Sequence, residues 1–175
     1  FVTPSRLATG VRIAVVAEVA AACEALGLRE GPVHAELRID DGVPSVLEVA
    51  ARTIGGLCAR ALRFGAGISL EQVVLRHALG LPLGGIDREA DAAGVLMLPV
   101  PRAGRLREVR GVDEARAIEG IVDVRITVEP GGVVEPAPEG SRYLGFVFAR
   151  APTPEAVESA LRAVGARLAI EIDPD

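Results

Sequence analysis

The segment from Val33 to Ala51 constrains the fold most, because it has the pattern of a β-hairpin that sets two carboxylates opposite each other. Two runs of alternating apolar residues flank an Asp-Gly pair, which is typical of a tight hairpin turn. If the turn is centred on Gly42, residues whose numbers sum to 84 are opposite each other, and Glu36 faces Glu48. Side chains in such pairs have Cβ atoms ~4.5–5.5 Å apart, so the two carboxylates repel unless a cation or a shared proton lies between them.

The alternation along both runs supports this register, because a period of two separates an apolar face from a polar one. In the first run, the polar face is predicted to hold His34, Glu36 and Arg38. The second run is predicted to divide between two faces, with Val46, Glu48 and Ala50 on one and Leu47, Val49 and Ala51 on the other.

Two interpretations of the paired glutamates are open. In the first, Glu36 and Glu48 bridge a divalent cation, and Arg52 lies close by to neutralise an anion. Hard carboxylate oxygens suit Mg²⁺ or Mn²⁺, which usually come with substrate phosphates rather than in an all-protein cage. In the second, the hairpin is simply exposed, and Arg38 and Arg52 make surface ion pairs with the glutamates.

The pattern H-x-E, a short hairpin and then E-x-x-x-R-x-x-G-G resembles the metal-binding hairpin of the ATP-grasp ligases. The resemblance implies that Glu36 and Glu48 bind the magnesium ions that bridge the ATP phosphates. It also implies that Arg52 contacts phosphate or an acyl-phosphate intermediate. Gly55 and Gly56 are candidate nucleotide-binding residues, because backbone N–H groups near glycines can approach phosphates closely.

One position departs from the common family pattern. Many ATP-grasp ligases have asparagine two residues after the second glutamate, as a further metal ligand. Here that residue is Ala50, and the chain contains no asparagine. The resulting E-x-A-x-R pattern is similar to the L-amino acid ligase branch. Two later segments, Val95–Gly104 and Gly140–Phe146, resemble the C-terminal domain of the same branch, to which carbamoyl-phosphate synthetase and biotin carboxylase are related.

The expected fold class is α+β. Residues 1–86 are predicted to form the C-terminal half of an ATP-grasp domain, an antiparallel sheet with helices, and residues 87–175 a small α+β C-terminal domain. Helices are predicted over Val11–Leu28, over Cys58–Phe64, from a Ser69 cap to Leu79, and from a Thr153 cap to Val164. Beyond the boundary, strands are predicted over residues 94–99, 104–109, 122–129, 143–149 and 167–172.

All 19 basic residues are arginine, and the chain has no lysine. ATP-grasp enzymes normally hold the nucleotide phosphates with lysines from earlier subdomains. The chain also starts at Phe1, in what resembles the middle of a domain. We therefore expect it to be the C-terminal piece of a longer ligase and to be inactive alone.

The expected parent activity is an ATP-dependent carboxylate–amine ligase that works through an acyl phosphate, with ATP, Mg²⁺ (or Mn²⁺) and small carboxylate and amine substrates. Two alternatives are a bicarbonate-using ligase of the carbamoyl-phosphate synthetase or biotin carboxylase kind and a non-catalytic assembly module. A homodimer is left open. A net charge of −5 with scattered arginines argues against nucleic acid, and charges interrupt the apolar stretch Val11–Leu28, which argues against a membrane span. A cytoplasmic location is expected.

The remaining candidate residues are expected to be structural. His34 is interpreted as a hydrogen-bonded structural histidine, with a ligand or substrate contact as the alternative, and His77 as a structural residue of its helix. Cys23 and Cys58 are interpreted as buried free thiols in apolar helical patterns. Two arginines of the second domain are expected on the solvated surface, Arg102 and Arg142.

Overall fold

A computed structural model describes residues 1–65 and 67–174 of the chain. It divides into two compact units. The first, called the hairpin unit, is Ser5–Glu89, and the second, called the sheet unit, is Phe1–Pro4 together with Ala90–Asp175. The predicted boundary between residues 86 and 87 lies close to the division at 89, but the first four residues belong to the sheet unit.

The secondary structure of the described residues is mixed. The helices, numbered in chain order, are α1 (Thr9–Ala25), α2 (Leu70–Ala78), α3 (Val112–Arg116) and α4 (Pro154–Gly165), and a 3-10 helix covers Cys58–Ala61. The strands are β1 (Val2–Thr3), β2 (His34–Asp40), β3 (Val43–Ala50), β4 (Arg63–Phe64), β5 (Ile68–Ser69), β6 (Ala92–Leu98), β7 (Gly104–Arg110), β8 (Ile121–Ile126), β9 (Val133–Val134), β10 (Gly145–Ala151) and β11 (Ala169–Asp173).

In the hairpin unit, α1 packs against β3 of the two-stranded sheet β2–β3. The helix begins two residues before the predicted Val11 and ends at Ala25, three residues before the predicted Leu28. Its half-buried residues recur at a spacing of three and four and therefore lie on one side of the helix: Val11, Ala14, Val15, Val19, Ala22 and Cys23. The two predicted strands of the hairpin are confirmed.

The second helix of this unit, α2, begins with the predicted Ser69 cap. The Ser69 hydroxyl accepts a hydrogen bond from the Gln72 backbone N–H, and the Gln72 side chain accepts one from the Ser69 backbone N–H, which completes a capping box. Glu71 lies in the first turn. A hydrogen bond from its own backbone N–H, and then one from Ser69, lower the pKa of Glu71 from its usual value.

The predicted helix over Cys58–Phe64 is wrong in its second half. Cys58–Ala61 forms a single 3-10 turn, and Arg63–Phe64 instead pairs as β4 with β5. Two residues of the predicted helix, Arg63 and Phe64, instead satisfy backbone groups by antiparallel pairing with Ser69 and Ile68, a contact that the local helical pattern does not contain.

In the sheet unit, two antiparallel sheets and α4 enclose the core. One sheet has the order β1-β6-β10-β8, the other has the order β11-β7-β9, and α4 packs on β6 and β10. The core is mainly aliphatic, and Phe146 and Phe148 are its buried aromatic residues. Its largest fully buried side chains are Leu106, Leu144, Val95, Val124, Val134, Val147, Val157 and Val164.

The predicted strands and the predicted capped helix of the sheet unit are confirmed to within a few residues. Each of the five predicted strands is present, as β6, β7, β8, β10 and β11. Thr153 caps α4 by accepting a hydrogen bond from the Ala156 N–H, and Pro154 occupies the first helical position. Three short elements were not predicted, β1, α3 and β9. Across residues 1–65 and 67–174, every helix is too short or too polar to cross a bilayer.

Candidate functional site

The turn of the hairpin contains two residues rather than the predicted three. Asp40 pairs with Val43, so Asp41 and Gly42 alone make the turn, with φ of 49° and 80°. Positive φ at both central residues is the geometry of a type I′ turn, whose twist matches that of the flanking strands. From Asp40 to Leu37 the paired residue numbers therefore sum to 83 instead of 84.

A β-bulge at Leu47 restores the predicted register at the glutamates. Leu37 pairs with Val46, whereas Glu36 pairs with Glu48, so Leu47 is the extra residue on β3. Two consecutive side chains, Leu47 and Glu48, are consequently exposed. The predicted pairing of Glu36 with Glu48 is confirmed, but the prediction that Val46 shares the face of Glu48 is wrong, because the bulge reverses the alternation.

The two opposed carboxylates are each 57% exposed. The Nε2 atom of His34 lies 3.3 Å from Oε1 of Glu36, and the His34 side chain is only 20% exposed. His34 pairs across the sheet with Ala50, the position at which many ATP-grasp ligases have asparagine. The small Ala50 side chain thus lies opposite His34, as the predicted register, in which paired residue numbers sum to 84, implies.

Arg52 follows β3 and is held from two sides. Its Nη1 atom donates a hydrogen bond to the Thr53 carbonyl at 2.9 Å, and its Nη2 atom lies 3.8 Å from Oε1 of Glu48. Its backbone N–H also donates to the Ala50 carbonyl at 2.8 Å. The guanidinium therefore lies beside the second carboxylate and retains N–H groups that can donate to an anion.

The glycine pair lies next to this arginine. A Cβ atom added at Gly55 would be 3.9 Å from Nη1 of Arg52, and Gly56 has a φ of 62°, in the left-handed region that favours glycine. The chain then enters the 3-10 turn that begins at Cys58. The Arg52 guanidinium and the backbone of the glycine pair thus lie next to each other after the end of β3.

The donor set fits one class of cation. Within the described residues, no group of three or more His, Cys, Asp or Glu side chains is arranged to hold a metal. Two opposed carboxylates of high exposure are nevertheless what Mg²⁺ commonly uses, since it keeps several waters and completes its octahedron with substrate phosphates. Glu36 and Glu48 are therefore the residues that would hold Mg²⁺ or Mn²⁺.

The other candidate residues differ in their burial. Cys58 is buried, and burial raises the pKa of its thiol, whereas Cys23 is half-buried on α1. His77 is exposed on the rim of an apolar cavity of about 260 Å³ formed between Gly31-Pro32 and α2. Two arginines of the sheet unit that were expected on the surface, Arg102 and Arg142, are exposed.

Comparison with known protein families matches the two ends of the chain to two models. Residues 1–61 match an ATP-grasp domain, and residues 96–173 match the L-amino acid ligase C-terminal domain 2. The first match contains both glutamates and Arg52. The chain is similar to the ATP-grasp ligases.

Solved structures agree with this assignment. A crystal structure of an L-amino acid ligase from Bacillus licheniformis superposes with a TM-score of 0.80 at 30% identity, over 98% of this chain and 43% of that one. A phosphoribosylglycinamide synthetase from Anaerococcus prevotii gives a TM-score of 0.76 at 15% identity, over 98% of this chain and 44% of that one, which shows the shared fold alone.

A curated relative is the uncharacterized protein y4rH of Sinorhizobium fredii (strain NBRC 101917 / NGR234). It is 28% identical over 138 residues, which cover 79% of this chain and 29% of the relative. This chain thus spans less than half the length of each of these relatives. The expected fold class and the resemblance to L-amino acid ligases are confirmed, while the roles of the individual site residues stay predictions.

Proposed function

We propose that this chain forms the metal-binding part of a cytoplasmic ATP-dependent ligase that joins a carboxylate to an amine through an acyl phosphate. The observation that carries the proposal is the pairing of Glu36 with Glu48, followed by Arg52, within a segment that matches the ATP-grasp domain. Two carboxylates held opposite each other repel, so a cation between them resolves an otherwise unfavourable arrangement.

The residues of the hairpin have separate roles in this proposal. Glu36 and Glu48 hold Mg²⁺ or Mn²⁺ together with phosphate oxygens of ATP; the bound cation offsets phosphate charge during phosphoryl transfer. Arg52 donates to the transferring phosphate or to the acyl phosphate, while Glu48 and the Thr53 carbonyl fix its position. Gly55 and Gly56 let the backbone approach the same anion.

A carboxylate–amine reaction is favoured over a bicarbonate-dependent one by the second half of the chain. Residues 96–173 match the C-terminal domain of L-amino acid ligases, and the B. licheniformis protein with 30% identity carries that name. The neighbour at 15% identity supports only the fold. The substrates we propose are therefore a small carboxylate and a small amine.

The remaining contacts to ATP are proposed to come from polypeptide beyond the part matched here. This chain has no lysine to pair with the nucleotide phosphates, and it spans 43% of the B. licheniformis ligase. We therefore propose that the 175-residue chain binds a divalent cation weakly but does not turn over ATP by itself.

Two measurements test the proposal. The first is Mn²⁺ binding to this chain, followed by electron paramagnetic resonance, in the wild type, in Glu36→Gln and Glu48→Gln, and in the control Glu18→Gln, which removes an exposed carboxylate from α1. We expect the two hairpin variants to lose binding and the control to retain it. Equal binding in all four proteins would remove the glutamates from the site.

The second measurement is ATP-dependent ligation in the complete enzyme. We expect Glu48→Gln to lower kcat/KM by at least about 100-fold, because even the groups that support metal ligands are commonly worth 10–100-fold. Activity within a few-fold of wild type would refute the assigned role. ATP hydrolysis that depends on bicarbonate would favour the carboxylase alternative, and a protein with neither activity nor a response to metal would be an assembly module.

A further inference from the structure

The face of the hairpin that carries the two glutamates contains two neighbouring cross-strand pairs. His34 pairs with Ala50 and Glu36 pairs with Glu48, and the bulge at Leu47 lies beyond them toward the turn. Because side chains on one face of a strand are two residues apart, His34 is the neighbour of Glu36 on β2, and Ala50 is the neighbour of Glu48 on β3. Imidazole nitrogens form hydrogen bonds, whereas alanine offers only a methyl group. Glu36 therefore has a hydrogen-bonding side chain beside it at the position where Glu48 has alanine.

His34 makes a hydrogen bond to the Glu36 carboxylate. Its Nε2 atom lies 3.3 Å from Oε1 of Glu36. An ionised carboxylate can only accept hydrogen bonds, so the imidazole donates through Nε2–H. Because this nitrogen is engaged with the carboxylate, His34 acts on a bound cation through Glu36. Hydrogen-bonding partners commonly orient the carboxylates that bind metals in this way.

The imidazole is held more firmly than the carboxylate that it contacts. The His34 side chain is 20% exposed, whereas the Glu36 side chain is 57% exposed. An exposed glutamate samples several rotamers and must lose that freedom when it binds a cation. A hydrogen bond to a less mobile neighbour removes part of that freedom in advance, and preorganisation of this kind raises the affinity for the cation.

The residue opposite the imidazole is small enough to permit this contact. Directly opposed Cβ atoms are ~4.5–5.5 Å apart, so a long side chain at position 50 would compete for the space beside the ring. With alanine there, the imidazole can lie along β2 toward Glu36. Glu48 has a different neighbour, the Nη2 atom of Arg52 at 3.8 Å. Each carboxylate of the pair is therefore accompanied by a nitrogen donor of its own.

We infer that His34 is a positioning residue of the proposed metal site and holds the Glu36 carboxylate in the orientation that binds the divalent cation. The inference rests on the proposed function and adds to it a residue that the proposal does not use. Groups that hydrogen-bond to metal ligands are commonly worth 10–100-fold in metal affinity, so loss of the His34 hydrogen bond should weaken Mn²⁺ binding at least about 10-fold.

The test is Mn²⁺ titration of the 175-residue chain, followed by electron paramagnetic resonance, in two matched variants. In His34→Gln the amide nitrogen is as many bonds from Cβ as Nε2 is, so it can still donate to Glu36. In His34→Asn the amide nitrogen is one bond closer to the backbone and does not reach the carboxylate. We expect the Gln variant to bind Mn²⁺ nearly as well as the wild type and the Asn variant to bind at least about 10-fold more weakly. His77→Asn, which changes an exposed histidine on α2, is the control and should bind like the wild type.

Double variants identify the carboxylate through which His34 acts. Glu36→Asp withdraws one carboxylate from Nε2 by a methylene group, so adding His34→Asn should then change Mn²⁺ affinity by no more than about two-fold. In the Glu48→Asp background, which keeps the contact, His34→Asn should still weaken binding about 10-fold.

Hydrogen exchange of the β2 and β3 amides checks that the hairpin of each variant is folded. If His34→Asn loses that protection, His34→Ala removes the nitrogen in a second way. The inference requires weaker Mn²⁺ binding in whichever of these two variants retains the protection of the wild type.

Several outcomes would overturn the inference. Equal Mn²⁺ affinity in the Gln and Asn variants, or the same loss in both aspartate backgrounds, would show that the hydrogen bond to Glu36 is not what matters. Electron spin echo spectra that showed a nitrogen bonded directly to Mn²⁺, absent in His34→Gln, would make His34 a ligand instead.

The glutamate variants separate this inference from the proposed function. If Glu36→Gln and Glu48→Gln leave Mn²⁺ binding unchanged, the proposed metal site itself is wrong, and the role of His34 is wrong with it. If those variants abolish binding while His34→Asn has no effect, the metal site stands and the inference about His34 alone is refuted.

Discussion

Replacing Glu36 with glutamine is expected to stabilise the hairpin without metal and to destabilise it, relative to wild type, when a divalent cation is present. The substitution removes one of two opposed negative charges at nearly unchanged volume. Glutamine also keeps a carbonyl oxygen that can accept a hydrogen bond from His34, whose Nε2 atom lies 3.3 Å from the carboxylate in the wild type. Whether Glu36→Gln stabilises or destabilises the hairpin should therefore depend only on whether a divalent cation is bound.

The size of the metal-free effect follows from the exposure of the pair. Both side chains are 57% exposed, so the dielectric constant between them is close to that of water. Two unit charges about 5 Å apart then repel by about 0.8 kcal/mol, and screening at 0.1 M salt reduces this to about 0.5 kcal/mol. Glu36→Gln should raise the free energy of hairpin opening by that amount, and the gain should shrink as salt is added.

A bound divalent cation makes the wild-type hairpin more stable than that of Glu36→Gln. A cation at 100 times its dissociation constant stabilises the state that binds it by about 2.7 kcal/mol, and only the wild type has the complete pair. Native-state hydrogen exchange of the β2 and β3 amides measures opening of this element separately from the sheet unit. Glu18→Gln serves as the control, since its carboxylate belongs to α1 and no carboxylate opposes it across a strand.

Two results would refute this reasoning. If Glu36→Gln lowered the protection of β2 and β3 without metal, the carboxylate would be a stabilising group and the repulsion argument would fail. If Mg²⁺ or Mn²⁺ raised protection equally in the wild type and the variant, the cation would bind elsewhere.

Three further predictions concern stability and reactivity. The pKa of Glu71 is lowered in the folded chain, so its ionised carboxylate stabilises the fold at pH values above the pKa that Glu71 has when unfolded. This stabilisation is lost as the pH falls through the folded-state pKa of Glu71. Glu71→Gln should therefore lower the free energy of opening of α2 by about 0.3–0.5 kcal/mol at pH 7 and leave it unchanged in acid, as measured by hydrogen exchange of the α2 amides. Leu144→Ala should destabilise the sheet unit by about 3 kcal/mol, because Leu144 is fully buried, and the fluorescence of Tyr143, the one tyrosine of the chain, reports that unfolding in urea. Burial raises the pKa of the Cys58 thiol, so alkylation at pH 8 should modify Cys23 first and Cys58 only with denaturant; equal rates would contradict the buried position.

The sequence predicted the features that depend on neighbouring residues. Ser69 and Thr153 cap the helices that follow them, because a hydroxyl at that position satisfies the first free N–H groups whatever the rest of the fold does. The pairing of Glu36 with Glu48 was predicted from a turn centred on Gly42, and it holds because the bulge at Leu47 offsets the shorter, two-residue turn.

Features that depend on distant residues were not predictable. The pairing of β1 with β6 joins residues about 90 positions apart, and nothing in the local pattern of Val2–Thr3 indicates it. The helix predicted through Phe64 is not formed, because Arg63 and Phe64 pair as β4 with the later strand β5. At the site, the distances from Arg52 to Glu48 and from His34 to Glu36 depend on side-chain rotamers, which the spacing of residues does not specify.

The bulge at Leu47 has a mechanical consequence for the hairpin. The residues between Glu36 and Glu48 can be arranged as a two-residue turn with one bulged residue, as here, or as a three-residue turn with none. Both arrangements keep the two glutamates opposite each other and differ only in the pairing of residues 37–40 with 43–47. A change of register or of sequence at the turn therefore leaves the pairing of Glu36 with Glu48 unchanged. The turn and the carboxylate pair can thus vary independently in evolution.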